Sequence, residues 1–263
     1  MRLTLYFIFS GLGSGAVVAA YLLSLAGGIS KGDLILPDLI GGAVLAIGIA
    51  SVWAPVGPHV RQVKLLLRPT RSWTFYETYA TGAFFVALAI LAKLPVPTVE
   101  LSVALCAFAV MICQAQIARS SKSRPAWRTE EIPSLIVIMG LTTGVGLIAL
   151  LSAIVPYIIR GGTLASMAGM TLAVMGAYRW REYARNVDTA LRGEIASLSR
   201  TIHAVAYGVP FILYLAALFP WPLARWLLPI AGVAAIIGGT IWTHTVIARL
   251  GHRRDFIASP IGL

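Results

Sequence analysis

The sequence predicts an all-α integral membrane protein with eight transmembrane helices, and three observations predict it. Of the 263 residues, 58% are hydrophobic and 12% are charged, against about 25% charged in an ordinary soluble domain. Apolar stretches of roughly 20 residues recur eight times, each long enough to cross hydrocarbon with its backbone groups paired inside one helix. The 21 basic residues also divide unevenly between the two sides of the resulting weave, seventeen on one and four on the other. The spans are read at 3–26, 34–55, 72–92, 96–117, 132–159, 162–179, 201–219 and 223–247. Together they make one transmembrane bundle over 1–263.

The first span has no small-residue cleavage site behind it and reads as a retained helix rather than a removed signal peptide. The second carries Asp38, and the third opens on Ser72-Trp73-Thr74-Phe75-Tyr76-Glu77. A very tight turn with Pro95 and Pro97 starts the fourth, which holds Cys106 and Cys113 seven residues apart. Two thiols fall short of the four that an iron–sulfur cluster takes, so they read as small core residues. Pro133, behind Glu130 and Glu131, starts the fifth with acids at the positive end of the helix dipole. The sixth is short and rich in Gly and Met. The seventh and eighth carry His203 and His244 at matching depth. Gly11 and Gly15, Gly140 and Gly144, and Ala165 and Gly169 recur at four-residue spacing, which lets membrane helices approach closely.

The charge of +11 sits in short loops, so it orients the chain in a bilayer rather than binding nucleic acid. With the N-terminus on side X, that side carries Arg2; Arg61, Lys64, Arg68 and Arg71; Arg119, Lys122, Arg124 and Arg128. It also carries Arg179, Arg181, Arg185, Arg192 and Arg200, then Arg249, Arg253 and Arg254. Side Y has Lys31, Lys93, Arg160 and Arg225. The positive-inside rule makes X cytoplasmic, with both termini inside, in a bacterial inner membrane. Between Pro58 and Pro69, Arg61, Lys64 and Arg68 share one helical face and Val60, Val63 and Leu67 another. That is an interfacial amphipathic helix, either a lipid anchor or a dock for an acidic partner. The stretch from Arg179 to Arg200 interleaves acids and bases and reads as a helix extended past the membrane into water.

Ionisable residues within spans mark candidate chemistry. Asp38 and Glu100 each lie about one turn in from the Y face, where interfacial solvation satisfies them. Glu77 lies deeper, among aromatic residues. His59 and Arg61 precede it on the same side, with Trp53, Trp73 and Tyr76 at the interface level. An imidazole, a guanidinium, a carboxyl and flat rings at one depth suit a quinone head group, whose carbonyls need donors and whose reduction needs two protons. The other reading of these residues is an aromatic belt with one Arg–Glu pair. His203 and His244 offer either two ligands for a b-type haem or two hydrogen-bonded packing histidines. No other metal ligand set is present in the sequence.

The segment Gly57-Pro58-His59-Val60-Arg61, then Leu67-Arg68-Pro69-Thr70-Arg71-Ser72-Trp73 and on to Glu77, resembles the membrane-anchor subunits of dimethyl sulfoxide reductase and their NrfD-like relatives. The pattern there is His-Leu-Gly-x-Pro-x-Arg, then Leu-Leu-x-Pro-x-x-Ser-Trp, then a Glu early in the third span. A second stretch, Arg124-Pro125-Ala126-Trp127-Arg128-Thr129 ahead of Pro133, is similar to the Trp-containing loop between that family's fourth and fifth spans. The detailed likeness covers residues 50–150, and the C-terminal half agrees in hydropathy alone.

The resemblance implies a non-catalytic anchor that holds a ferredoxin-like iron–sulfur subunit and a molybdopterin catalytic subunit at the membrane. Such a subunit passes electrons between the partner's clusters and menaquinone or ubiquinone. Gly57, Arg61 and Glu77 fall on family positions near the quinone. The histidine departs from the pattern, since the family His falls on Pro55 and His59 takes the family's Pro position. Lys64, Arg68, Arg71, Arg124, Trp127 and Arg128 are the expected docking residues. With X cytoplasmic the partners are cytoplasmic as well, which favours a CoA thioester substrate, as for the anchor of a phenylacetyl-CoA:acceptor oxidoreductase. A proton-coupled small-solute transporter working through Asp38, Glu77 and Glu100 is the competing function. Paired broken helices near the midplane, the usual transporter device, are absent from the pattern.

Overall fold

The computed structural model describes residues 2–30, 33–53, 72–121, 124–155, 162–187, 189–219 and 224–251. Among them there is no strand, and the chain is a bundle of long helices. They are α1 (Arg2–Leu25), α2 (Ile35–Trp53), α3 (Trp73–Leu91), α4 (Pro97–Ser120), α5 (Glu131–Ile154) and α6 (Thr163–Asn186). After them, α7 (Thr189–Ile202) runs through a π-helical turn (His203–Gly208) straight into α8 (Val209–Ala217). Finally α9 (Ala224–Thr243) ends in a second π-helical turn, His244–Arg249. Among the described residues, seven helical stretches are long and apolar enough to cross a membrane: α1 to α5, with α2 counted to Val52, Leu191–Ala217 and Trp226–Arg249. The protein is therefore a multi-pass membrane protein by its architecture.

The stretch outside those seven is α6, whose apolar run stops at Tyr178 before Arg179, Arg181, Glu182 and Arg185. Its packing is nevertheless that of its neighbours. Gly162, at its start, lies against Leu228 early in α9, and Trp180 packs edge-on against Trp242 near the end of α9, with ring centroids 6.4 Å apart. The two helices therefore run parallel over the same length. Between them, the α7–α8 rod runs the opposite way.

Glycines decide where the helices touch. A Cβ added at Gly15 would run into the Gly140 carbonyl, and one at Gly144 would strike the backbone at Gly15. The contact is thus backbone on backbone, with α1 and α5 parallel. Along the α6–α8 seam, Tyr214 fills the notch at Gly169 and Tyr207 the notch at Gly176. Partners on both helices are seven residues apart, a repeat that keeps one seam facing its neighbour. The expected close-approach steps Gly11/Gly15 and Gly140/Gly144 meet each other backbone to backbone. Gly169 of the Ala165/Gly169 step instead receives the Tyr214 ring, and Gly146 and Gly232 make a further backbone contact where antiparallel α5 and α9 meet.

The π-helical turn before α8 has a local cause. Pro210 lacks an N–H to bond the carbonyl four residues back, and the ladder widens over His203–Gly208 just ahead of it. At the end of α9, Leu250 N–H bonds Thr245 O, five residues back, at 2.9 Å.

Two expectations are corrected at the basic end. The stretch from Arg179 to Arg200 is not one helix extended free of the bundle: it breaks between Asn186 and Thr189 and its apolar side is covered. Trp180, Tyr183, Val187, Leu191 and Ile195 form a buried stripe that folds α7 back under the bundle, against Ile247 and Leu250. Trp180 Nε1–H donates to Ser199 Oγ at 3.1 Å, closing that fold-back. Trp127, expected at a docking surface, is 2% exposed. Its indole N–H donates to Val246 O at 2.9 Å, and its ring meets Phe7 edge-on. Tyr183 Oη donates to Ala126 O beside it at 3.1 Å. An isolated Trp in a basic loop reads as interfacial, but here it is the plug that joins the α4–α5 connection to α1 and the end of α9.

Candidate functional site

The candidate site is the start of α3 where it lies on α4. Ser72 begins α3 as its N-cap, its hydroxyl accepting from Phe75 N–H at 3.3 Å. That cap sets the phase of the helix and fixes which face the next residues take. Trp73, Tyr76 and Tyr79 are then exposed on the bundle's flank, toward the lipid of a surrounding bilayer. Their rings form one aromatic strip with Phe75: Trp73 and Tyr76 lie 5.8 Å apart, Phe75 and Tyr76 5.9 Å, and Phe75 and Tyr79 4.6 Å.

Glu77 points to the other side of this strip and is half-buried. Across the α3–α4 contact it interacts with the Gln114 carboxamide and the Cys113 thiol. Gln114 is 1% exposed, and its Nε2 has no acceptor at hydrogen-bond geometry. The pair thus face each other without a direct bond of normal length. Sequence reasoning missed Gln114, although a carboxamide inside an apolar span is costly enough in hydrocarbon to mark it.

Gly57, His59, Arg61, Lys64, Arg68 and Arg71, with the amphipathic stretch 58–69, lie outside the described residues, as does the side chain of Trp53 that ends α2. Arg124 and Arg128 flank the α4–α5 connection. The Arg124 guanidinium sits 4.0 Å over the Trp127 ring, and burial lowers its pKa from the ordinary value. Asp38 and Glu100 are 3% and 6% exposed in the first turns of α2 and α4, and they sense each other electrostatically. They are buried in the bundle rather than solvated at its interface, contrary to expectation.

His203 and His244 are not brought together. His203 lines a groove of about 180 Å³ with Ala173, Ala177 and Phe211, its Nδ1 2.8 Å from Ser199 O. His244 is exposed and lines a different groove, of about 360 Å³, against Thr4, Leu5 and Ile8 of α1. His203, held by the Ser199 carbonyl, has the bond of a packing histidine, whereas His244 is exposed. Among the described residues no group of three His, Cys, Asp or Glu side chains is placed to hold a metal ion. Compared with known proteins, the chain matches no family model and no curated protein.

Proposed function

We propose that this chain is the membrane subunit of an electron-transfer complex and that it holds a quinone head group beside Glu77 at the basic end of the bundle. The observation that carries the reading is the pairing of Glu77 and Gln114 behind the Trp73–Phe75–Tyr76–Tyr79 strip. It offers a carboxyl that can exchange a proton, a carboxamide that can donate to a carbonyl, and flat rings on the flank from which a lipid-soluble ligand arrives. The resemblance around 57–77 supports the same reading and adds Gly57, His59 and Arg61 as its loop-side donors.

The topology proposed with it has eight crossings, α6 included, because α6 runs the length of α9 and its neighbours alternate in direction. The basic end then faces the cytoplasm, along with a ferredoxin-like iron–sulfur subunit and a molybdopterin catalytic subunit. Buried carboxyls at both ends, Glu77 at one and Asp38 with Glu100 at the other, favour proton-coupled transport as the second reading.

The test is to purify the tagged chain in mild detergent with whatever binds it, and to titrate menaquinone and ubiquinone analogues while following Trp fluorescence. Co-purified iron and molybdenum with saturable quenching, weakened tenfold or more by Glu77→Gln, is the expected result, equivalent to about 1.4 kcal/mol. A metal-free chain that quenches identically in both forms overturns the proposal. Proton-coupled uptake by such a chain in liposomes would establish transport instead.

A further inference from the structure

A small cavity of about 20 Å³ lies where α1, α4, α5 and α9 meet, in the basic half of the bundle. Glycines make the room, since Gly11, Gly140 and Gly239 form part of its wall. The other walls are apolar except at a few points. Two of those points are N–H donors without an acceptor, Gln114 Nε2 and Trp242 Nε1, each on a residue 1% exposed. Thr143 is a third. Its hydroxyl hydrogen is committed to the carbonyls of Met139 and Gly140 at 3.0 Å, which leaves its oxygen lone pairs available.

Size and polarity together select the ligand. A water needs roughly 10–15 Å³ of such volume and two to four polar partners, so the cavity takes one water and excludes a quinone ring or a sugar. A water oxygen accepts from two N–H groups and retains two hydrogens to donate. The Glu77 carboxyl faces the Gln114 carboxamide, which has a second N–H, and Trp242 Nε1–H has no acceptor, so in a hydrocarbon-bounded bundle a water is left to take both. We infer that this cavity is a binding site for a single water, held by the Gln114 and Trp242 N–H groups and donating to Thr143 Oγ1. Gln114 reaches Glu77 on its other side, so the water extends that carboxyl's polar contacts into the centre of the bundle. A role in supplying protons to Glu77 rests on the quinone reading, whereas the water site itself does not.

The experiment is X-ray radiolytic footprinting of the full chain in phosphatidylcholine nanodiscs, run in ordinary and in ¹⁸O water. A bound water yields hydroxyl radicals where it sits, so Met111 and Met139, which line the cavity at 2% and 3% exposure, should oxidise and take up ¹⁸O slowly. Met167 and Met175, 53% and 48% exposed on α6, serve as the comparison, because the proposed eight-crossing topology puts that face of α6 in lipid. Labelling of the two buried methionines above that level, lost in Gln114→Met and in Trp242→Phe, is the expected outcome. Met111 and Met139 no more labelled than Met167 and Met175, at a dose that oxidises a methionine peptide in the same buffer, overturns the site. The unsubstituted protein alone decides this if the variants fail to fold. Buried labelling without quinone binding keeps the water and removes only the quinone reading.

Discussion

The indole of Trp127 shows how much one side chain can hold at the basic end. It is packed on Phe7, capped by Arg124 and bonded to Val246 O, so it ties the α4–α5 connection to both the first and last helices. Trp127→Ala should cost about 3–5 kcal/mol through the cavity it leaves, measured by denaturant titration of the purified protein in detergent. Trp127→Phe should cost nearer 1 kcal/mol, the net value of the lost hydrogen bond. Two tyrosines give the opposite contrast. Tyr183 Oη has a partner in Ala126 O, whereas Tyr207 Oη is buried with none. Tyr183→Phe should therefore destabilise by about 1 kcal/mol, and Tyr207→Phe should be neutral or stabilising, in the same titration. Glu77 was legible in the sequence because a charge within an apolar run stands out. Trp127 was misread because no local pattern distinguishes a tryptophan that plugs a bundle from one that faces lipid. Gln114 could be marked as a polar group inside an apolar span, but its partners Glu77 and Trp242 come from other helices and emerge only once those are packed.

Element by element, the apolar runs located the first four helices to within about three residues, because hydrocarbon thickness imposes a length that composition reveals. The sixth and seventh spans missed helical ends by seven and ten residues. The spans read at 72–92 and 96–117 became Trp73–Leu91 and Pro97–Ser120. The fold-back of α7 was less legible. Its stripe of Leu191, Ile195 and Ile202 has helical spacing, yet the interleaved charges of the same stretch argued for water. Pairing of helices was hardly legible at all, since the small-residue steps show that helices approach but not which ones. The α1–α5 contact supplies the test at this scale. With Gly15 backbone against Gly140 and Gly144, a Gly144→Leu substitution has no room to settle. It should cost upwards of about 1–3 kcal/mol of overpacking strain. The exposed Gly82, where an added Cβ meets nothing within 4 Å, should tolerate Ala with no loss. Thermal melts of the two variants in one detergent make the comparison.

For the whole molecule, the basic end is a structural fact as well as a sequence pattern. Arg119 pairs with Glu130 at 3.6 Å, Arg179 with Glu182 at 2.7 Å and Arg249 with Glu194 at 3.1 Å, all at the end where α1 starts and α9 finishes. These exposed pairs contribute little stability, and their meaning lies in orientation. Single cysteines placed at Arg192 and Lys93 in a background lacking Cys106 and Cys113 should react with an impermeant maleimide from opposite faces of sealed vesicles. Reaction of both from one face would remove α6 from the crossings and refute the eight-span topology.

The first turns of α1 lie beside the last turns of α9, with Thr4, Leu5 and Ile8 against His244 and Thr245. The helix made first by the ribosome thus ends up touching the helix made last. During synthesis α1 can bind α2 at once, but its flank toward α9 stays open until the end of the chain emerges. Gly239 of α9 meets Thr143 of α5 only then. Assembly of this bundle is completed rather than begun by its final helix, so a chain interrupted before α9 would leave the membrane with an unsealed, polar-lined seam for quality-control proteases to recognise.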